Sequence, residues 1–448
     1  MQRDLSLLTD RLLAAARAAG ADAADAIAVD GTSVSIDVRQ GRLEQAERSE
    51  GIDIGLRVFI GQRQANVSSS DISDTTIANM AVRAVAMARE APADPTAGLA
   101  DPSQLARETD SGRLDLHDPT PEPDAATLQE DARRAEAAAL DNPAISQVQS
   151  ASAGYSHRRV HLAATNGFSA GYQRSDRGIS CVAITGSGTA MERDYDHDSR
   201  IFQADLRTPE DIGTSAAARA VARAGATRPR TGTWPVLFDE RVAASLIGHL
   251  VQAINGSAIA RGSSWLRDAM DGPVLPVGLS LVEDPHRPRA AASRLFDGEG
   301  LPTARRAIVE DGVLRSWTLD LATARKLGLE STANASRGTS GPPQPAAGNL
   351  ALTQGAHSLA ELISQMGTGL YVTSMIGSTI NPNTGDYSRG AAGFWVQNGE
   401  IIGPVNECTI AGNLREMLLR IIPANDARPH LSRVVPSILI DAMTLAGD

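Results

Sequence analysis

His249 ends the hexapeptide Ala244-Ser245-Leu246-Ile247-Gly248-His249, in a stretch whose apolar residues recur at three- and four-residue steps. An imidazole on a helix can ligate a metal or relay a proton, but it needs company. A catalytic zinc usually takes three protein ligands and works beside a carboxylate base. Ala244 offers no lone pair, and the Ser245 hydroxyl is a poor base near neutral pH. By itself His249 reads as a helix histidine packed or hydrogen-bonded inside its domain. His157 and His161 are four apart, but they fall where strand and turn are expected, with no His-Glu-x-x-His pattern. The run Glu192-Arg193-Asp194-Tyr195-Asp196-His197-Asp198 is rich in oxygen and nitrogen donors. Charge runs of this kind are expected to be solvated loops. Asp386, Tyr387, Ser388 and Arg389 form a dense polar cluster between Gly385 and Gly390, shortly after Asn381. They read as a turn held by backbone hydrogen bonds, with peptide contact or a subunit interface as the functional alternative.

Other chemistries find no support. There is no Walker A motif and no Gly-x-Ser-x-Gly, and the glycines near Gly186 lack a strand–turn–helix context. Cys181 and Cys408 cannot form a CxxC or a disulfide framework, and read as buried or partly buried free thiols. With 53 acidic against 42 basic residues the net charge is −11, which argues against direct binding to nucleic acid or an anionic membrane surface. No apolar run is long enough to span a bilayer. The amino-terminal ten residues include Arg3, Asp4 and Asp10 and have no signal-peptide core, so the cytoplasm is the expected compartment.

The chain has 448 residues, 42% of them apolar, enough for two or three domains with a sizeable core. Aromatics are only 3%, so that core must be aliphatic. Helical spacing from Leu5 to Gly20 is followed by strand-like stretches at 26–30, 33–39, 43–49, 52–60 and 63–69. Asp30-Gly31, Gln40-Gly41, Glu50-Gly51 and Gly61-Gln62 are the expected turns. A second helix is expected over 75–90. The proline-rich segment 91–124 reads as a linker. Helix 125–140, strands 146–155, 159–165, 169–176 and 178–191, and helix 209–224 then repeat the layout. We therefore expect helix–meander–helix segments at 1–90 and 125–228, each helix pair covering one face of an antiparallel sheet. After a joint near 225–233, an α+β domain over 232–448 should have a mostly antiparallel core and a few helices, including 239–254 and 358–365. Residues 334–349, rich in Gly, Ser, Pro and Ala, read as a mobile loop.

Several stretches of the last domain are specific. They include Ser293-Arg294-Leu295-Phe296-Asp297-Gly298-Glu299-Gly300 and Ala324-Arg325-Lys326-Leu327-Gly328. The longest is Asn381-Pro382-Asn383-Thr384-Gly385-Asp386-Tyr387-Ser388-Arg389-Gly390-Ala391-Ala392-Gly393-Phe394-Trp395-Val396, and Thr409-Ile410-Ala411-Gly412-Asn413-Leu414 follows it. The sequence resembles the TldD/PmbA metallopeptidase family over nearly its whole length, and within it the PmbA (TldE) type of subunit. TldD-type subunits carry His-Glu-x-x-x-His where this chain has Ala244 to His249, so only the second histidine is kept. A glycine-rich segment with a cysteine, which supplies a further ligand in TldD subunits, has no counterpart after Leu414.

The resemblance implies a non-catalytic subunit without its own metal. A TldD-like partner would supply zinc, and the heterodimer would cleave unfolded or small peptides, as in peptide-antibiotic maturation or antitoxin degradation. Two alternatives are a regulatory or binding protein acting through protein partners, with a link to gyrase control, and an autonomous peptidase.

Overall fold

The computed structural model describes residues 4–448, the side chain of Ser378 excepted. Residues 1–3, part of the stretch read above for a leader, lie outside them. The chain opens with α1 (Leu5–Ala18), capped by Asp4, whose carboxylate accepts from the Ser6 amide. Three strands follow, β1 (Ala23–Arg39), β2 (Arg42–Ile60) and β3 (Arg63–Ser69), and then α2 (Asp74–Glu90). The segment from α3 (Ala125–Leu140) through β4 (Ile145–Ala164), β5 (Ser169–Thr185) and β6 (Glu192–Arg200) to α4 (Pro209–Ala222) repeats this order.

The two meanders are not separate sheets. β1 and β4 pair antiparallel from Asp25↔Ala164 to Val38↔Ala151, giving one six-stranded sheet in the order β3-β2-β1-β4-β5-β6. Its long strands pass under both helix pairs. Ala24, Ala26 and Ala28 of β1 pack with Leu12, Leu56 and Ile77 beneath α1 and α2. Val34, Ile36 and Val38, on the same strand face by the two-residue repeat, pack with Leu128, Cys181 and Ile212 beneath α3 and α4.

Three sequence expectations need correction. Asp30-Gly31 and Glu50-Gly51 are not turns: Gly31 pairs with Gly51 inside the β1–β2 ladder, which is regular from Ala23↔Phe59 to Asp37↔Gln45. A side chain at Gly31 would meet the His157 carbonyl at 3.3 Å, so this glycine permits close strand approach instead of chain reversal. Gln40-Gly41 and Gly61-Gln62 do join consecutive strands. The charge run 192–198 is β6, not a solvated loop. Its alternate residues Asp194, Asp196 and Asp198 are buried, paired with Arg223 and Arg241, Arg207 and Arg219, and Arg200 respectively.

The remaining half contains β7 (Gly232–Phe238), α5 (Glu240–Ala253), α6 (Gly256–Ala260), β8 (Leu281–Glu283), β9 (Arg306–Glu310), β10 (Val313–Leu314), α7 (Leu321–Leu327), β11 (Ala335–Ser336), β12 (Gln344–Pro345) and β13 (Leu350–Leu352). It closes with α8 (Leu359–Met366), β14 (Gly369–Ile380), β15 (Asp386–Gln397), β16 (Glu400–Asn413), α9 (Leu414–Leu418), β17 (Ile421–Pro423), β18 (Arg433–Val434) and β19 (Ile438–Ala446). A second six-stranded sheet runs β16-β15-β14-β7-β19-β17, with β7 and β14 parallel and its other pairs antiparallel. A smaller sheet runs β10-β9-β8-β13-β18. The architecture is α+β. The third correction concerns 334–349, which is held in place: Asn334, Ala335 and Asn349 are buried, and Asn334 donates to both oxygens of the buried Glu283 carboxylate.

Candidate functional site

The apolar face of α5, formed by Ala243, Leu246, Ile247, Leu250 and Val251, is buried in the largest core of the protein. Asp239 caps the helix by accepting from the Arg241 amide at 3.0 Å. This packing brings His249 against Tyr387 of β15, ring edge to ring face, with centroids 5.9 Å apart. Burial lowers the His249 pKa from its ordinary value, and the positive charge of Arg389 lowers it further. The His249 Nε2 atom is enclosed and has no hydrogen-bond partner among the described residues. Tyr387 is buried, its hydroxyl facing the Met375 sulfur at 3.4 Å, and burial raises its pKa to about 12. Arg389 donates through Nε to the Gly377 carbonyl at 2.7 Å.

The polar cluster seen in the sequence therefore divides in two. Asn381 and Asp386 build the β14–β15 hairpin turn. The Asn381 side chain accepts from the Asn383 and Thr384 amides at 3.0 and 3.3 Å, and its carbonyl accepts from Gly385 at 2.9 Å. Gly385 has φ +83°, the left-handed region that favours glycine. The exposed Asp386 carboxylate accepts from Thr384 Oγ1 at 2.6 Å and Asn413 Nδ2 at 3.0 Å, which holds its pKa below the usual range. Tyr387 packs on the helix histidine and the Arg389 charge acts on it, whereas Ser388 sits between them in the ladder, opposite Thr379 and Ala411. Linear spacing showed that Asp386 to Arg389 are dense in polar groups. It could not show that two of them would adjoin a helix some 140 positions earlier in the chain.

These donors do not fit a zinc ion. His249 is one imidazole, Ala244 presents a methyl group, and the Ser245 hydroxyl donates to the Val242 carbonyl of its own helix at 2.7 Å. The charge of Arg389 opposes a dication beside His249. Cys408 is no substitute ligand: its thiol is buried, donates to the Ala391 carbonyl at 3.2 Å and has a pKa raised by burial to about 11.

A second feature escaped the sequence reading altogether. Two clefts of about 410 and 340 Å³ adjoin along the six-stranded sheet of the N-terminal half and share Ser156 and Asp176. Small residues, including Gly31, Ser33, Gly51 and Gly154, leave this relief in the surface. The signal was present as glycine and serine at alternate strand positions, but only strand pairing assembles it into one wall.

Models of the PmbA/TldA metallopeptidase family match the chain in three pieces: domain 1 over residues 24–88, the central domain over 118–224 and the C-terminal domain over 231–447. The chain belongs to the PmbA/TldD metallopeptidase family. It is 37% identical to Metalloprotease PmbA of Escherichia coli O157:H7 over 429 residues, 95% of this chain and 92% of the relative. A solved structure from Bacteroides thetaiotaomicron, named as a candidate modulator of DNA gyrase, superposes with TM-score 0.90 at 25% identity, covering 99% of this chain and 98% of that one. TldE from Thermococcus kodakarensis shares the fold, with TM-score 0.86 at 19% identity, covering 98% of this chain and all of that one. Among the described residues no helix is long and apolar enough to cross a membrane. The PmbA/TldD-type stretch 293–300 serves as internal support. Asp297 is buried and accepts from the Glu299, Leu301 and Ala335 amides at 2.9, 3.0 and 3.0 Å.

Proposed function

We propose that this chain is the PmbA/TldE-type, non-catalytic subunit of a heterodimeric peptidase that cleaves unfolded or small peptides. A TldD-type partner supplies the zinc and the general base, and this chain supplies part of the peptide-holding wall. The observation that carries the reading is the state of α5. The one imidazole stands beside an arginine, and the acid position is a serine whose hydroxyl is spent on its own helix. A zinc-type hydrolytic site needs an open-coordinated metal and a carboxylate to take the proton of the attacking water. Neither can be assembled from Ala244, Ser245, His249, Tyr387 and Arg389. The clefts that share Ser156 and Asp176 run along the sheet and offer a wall for an extended peptide to lie against.

The test is reconstitution with the TldD-type subunit of the same genome. Cleavage of an unstructured peptide should require both chains, and each chain alone should be inactive. Cleavage by this chain alone, abolished by His249→Ala, would overturn the proposal and favour an autonomous peptidase.

A further inference from the structure

Most well-buried arginines of this protein have an acidic partner: Arg57 meets Asp25, Arg241 meets Asp194 and Arg306 meets Glu283. Arg389 is partly buried and forms no ion pair among the described residues. Asp386, three positions away, has its carboxylate committed to Thr384 and Asn413. The guanidinium is anchored through Nε to the Gly377 carbonyl, and the charge of Arg389 acts on the Tyr387 hydroxyl two positions before it. His249, which packs on Tyr387 two positions before Arg389, keeps an enclosed ring nitrogen without a partner among the described residues. In a chain of net charge −11, this is a cation left without an anion among the described residues.

The geometry points to a carboxylate seat at Arg389, flanked by Tyr387 and His249, that takes the C-terminal carboxylate of a peptide. This rests on the reading of the chain as a peptidase subunit. A guanidinium forks two parallel N–H groups onto a carboxylate, and the contact gains strength where water is partly excluded. A peptide's chain end is slender enough to reach a partly buried group. The site that cannot hold a metal cation thus has the sign of charge that holds a substrate anion.

Calorimetric titration of the full chain tests this with acetyl-Ala-Ala-Ala as the free acid, the same peptide as its C-terminal amide, and an amidated peptide with Asp in last place. The free acid should bind at least about tenfold tighter than the amide, as one charge-assisted pair gives. Arg389→Gln should erase that preference. Arg389→Lys, which keeps the charge without the fork, should retain part of it. Thermal melting of both variants checks that they fold. Equal binding of acid and amide, or a preference that survives in R389Q, would overturn the seat, as would failure of every peptide to bind. The subunit reading is judged apart from these results, by cleavage in the reconstituted pair. Equal binding of the Asp-amide and the free acid would overturn the assignment to chain ends.

Discussion

Arg337, from the segment between β11 and β12, forms a buried ion pair with Asp25 on β1. The same carboxylate also receives Arg57 from β2, so one acid holds two guanidinia. All three side chains are at least 92% shielded from solvent. Burial alone would raise the Asp25 carboxyl pKa, but the two arginines outweigh it and hold the carboxyl charged below its ordinary value. The C-terminal half is thereby fastened to the six-stranded sheet of the N-terminal half through an ionic contact in a dry site.

Replacing Asp25 with Ala should destabilise the protein by about 3–5 kcal/mol, because two buried guanidinia lose their countercharge. Urea unfolding with a two-state or domain-resolved fit measures this. A loss under about 1 kcal/mol would mean that the arginines find water or another acid, and that the pair fastens little.

Gly55 of β2 is the steric half of the same contact. A Cβ there would lie 2.2 Å from the Thr339 carbonyl, far inside van der Waals distance. Gly55→Ala should therefore push residues 337–339 off the sheet and draw Arg337 from Asp25. Limited trypsin digestion should then cut after Arg337 in the variant and leave the parent intact there. In a double-mutant cycle G55A and D25A should be less than additive, since each breaks one shared contact. Full additivity would refute that coupling.

Glu299 lies near this cluster, its carboxylate accepting from the Leu321 amide at 2.8 Å. Burial and the neighbouring Asp297 charge raise its pKa from 4.5 to about 8, against the pull of Arg57. The folded state then holds a proton that the unfolded chain has released, so stability falls as pH rises from about 4.5 towards 8. Glu299→Gln removes that loss. The denaturation midpoint of the parent should drop relative to E299Q between pH 5.5 and pH 8. Parallel pH profiles for the two proteins would contradict the assignment.

The chain's local periodicities gave reliable helices and the α+β class, because amphipathic spacing over 239–254 or 358–365 needs only short-range information. Pairing over long range overrode local turn chemistry at Asp30-Gly31 and Glu50-Gly51, where strands of 17 and 19 residues run straight through. The 192–198 run misled for a related reason. Its charges alternate with period two, and the acids on one face meet Arg207, Arg219 and Arg223 from later in the chain, pairs invisible to any local window. Asn334 to Asn349 has a linker's composition, yet Arg337 and the buried asparagines pin it by polar contacts that composition does not encode. At the candidate site, sequence displayed what is missing at Ala244 and Ser245. It did not reveal Arg389 beside His249, since that neighbourhood depends on how α5 lies across the β14–β15 hairpin.

The most direct consequence for the metal concerns His249 in the assembled pair. If zinc is held wholly by the TldD-type partner, His249→Ala in this chain should leave the metal content at one zinc per heterodimer. Losing a true ligand of a three-residue site would lower affinity by orders of magnitude and strip the ion during purification. Losing a histidine that only packs on Tyr387 costs some packing energy and moves no metal. Elemental analysis of the parent and variant complexes, purified side by side through a mild chelator wash, separates these cases. Equal zinc in both supports a partner-held site, and a variant depleted of zinc would show that His249 reaches across the interface as a ligand, against the donor geometry found around α5.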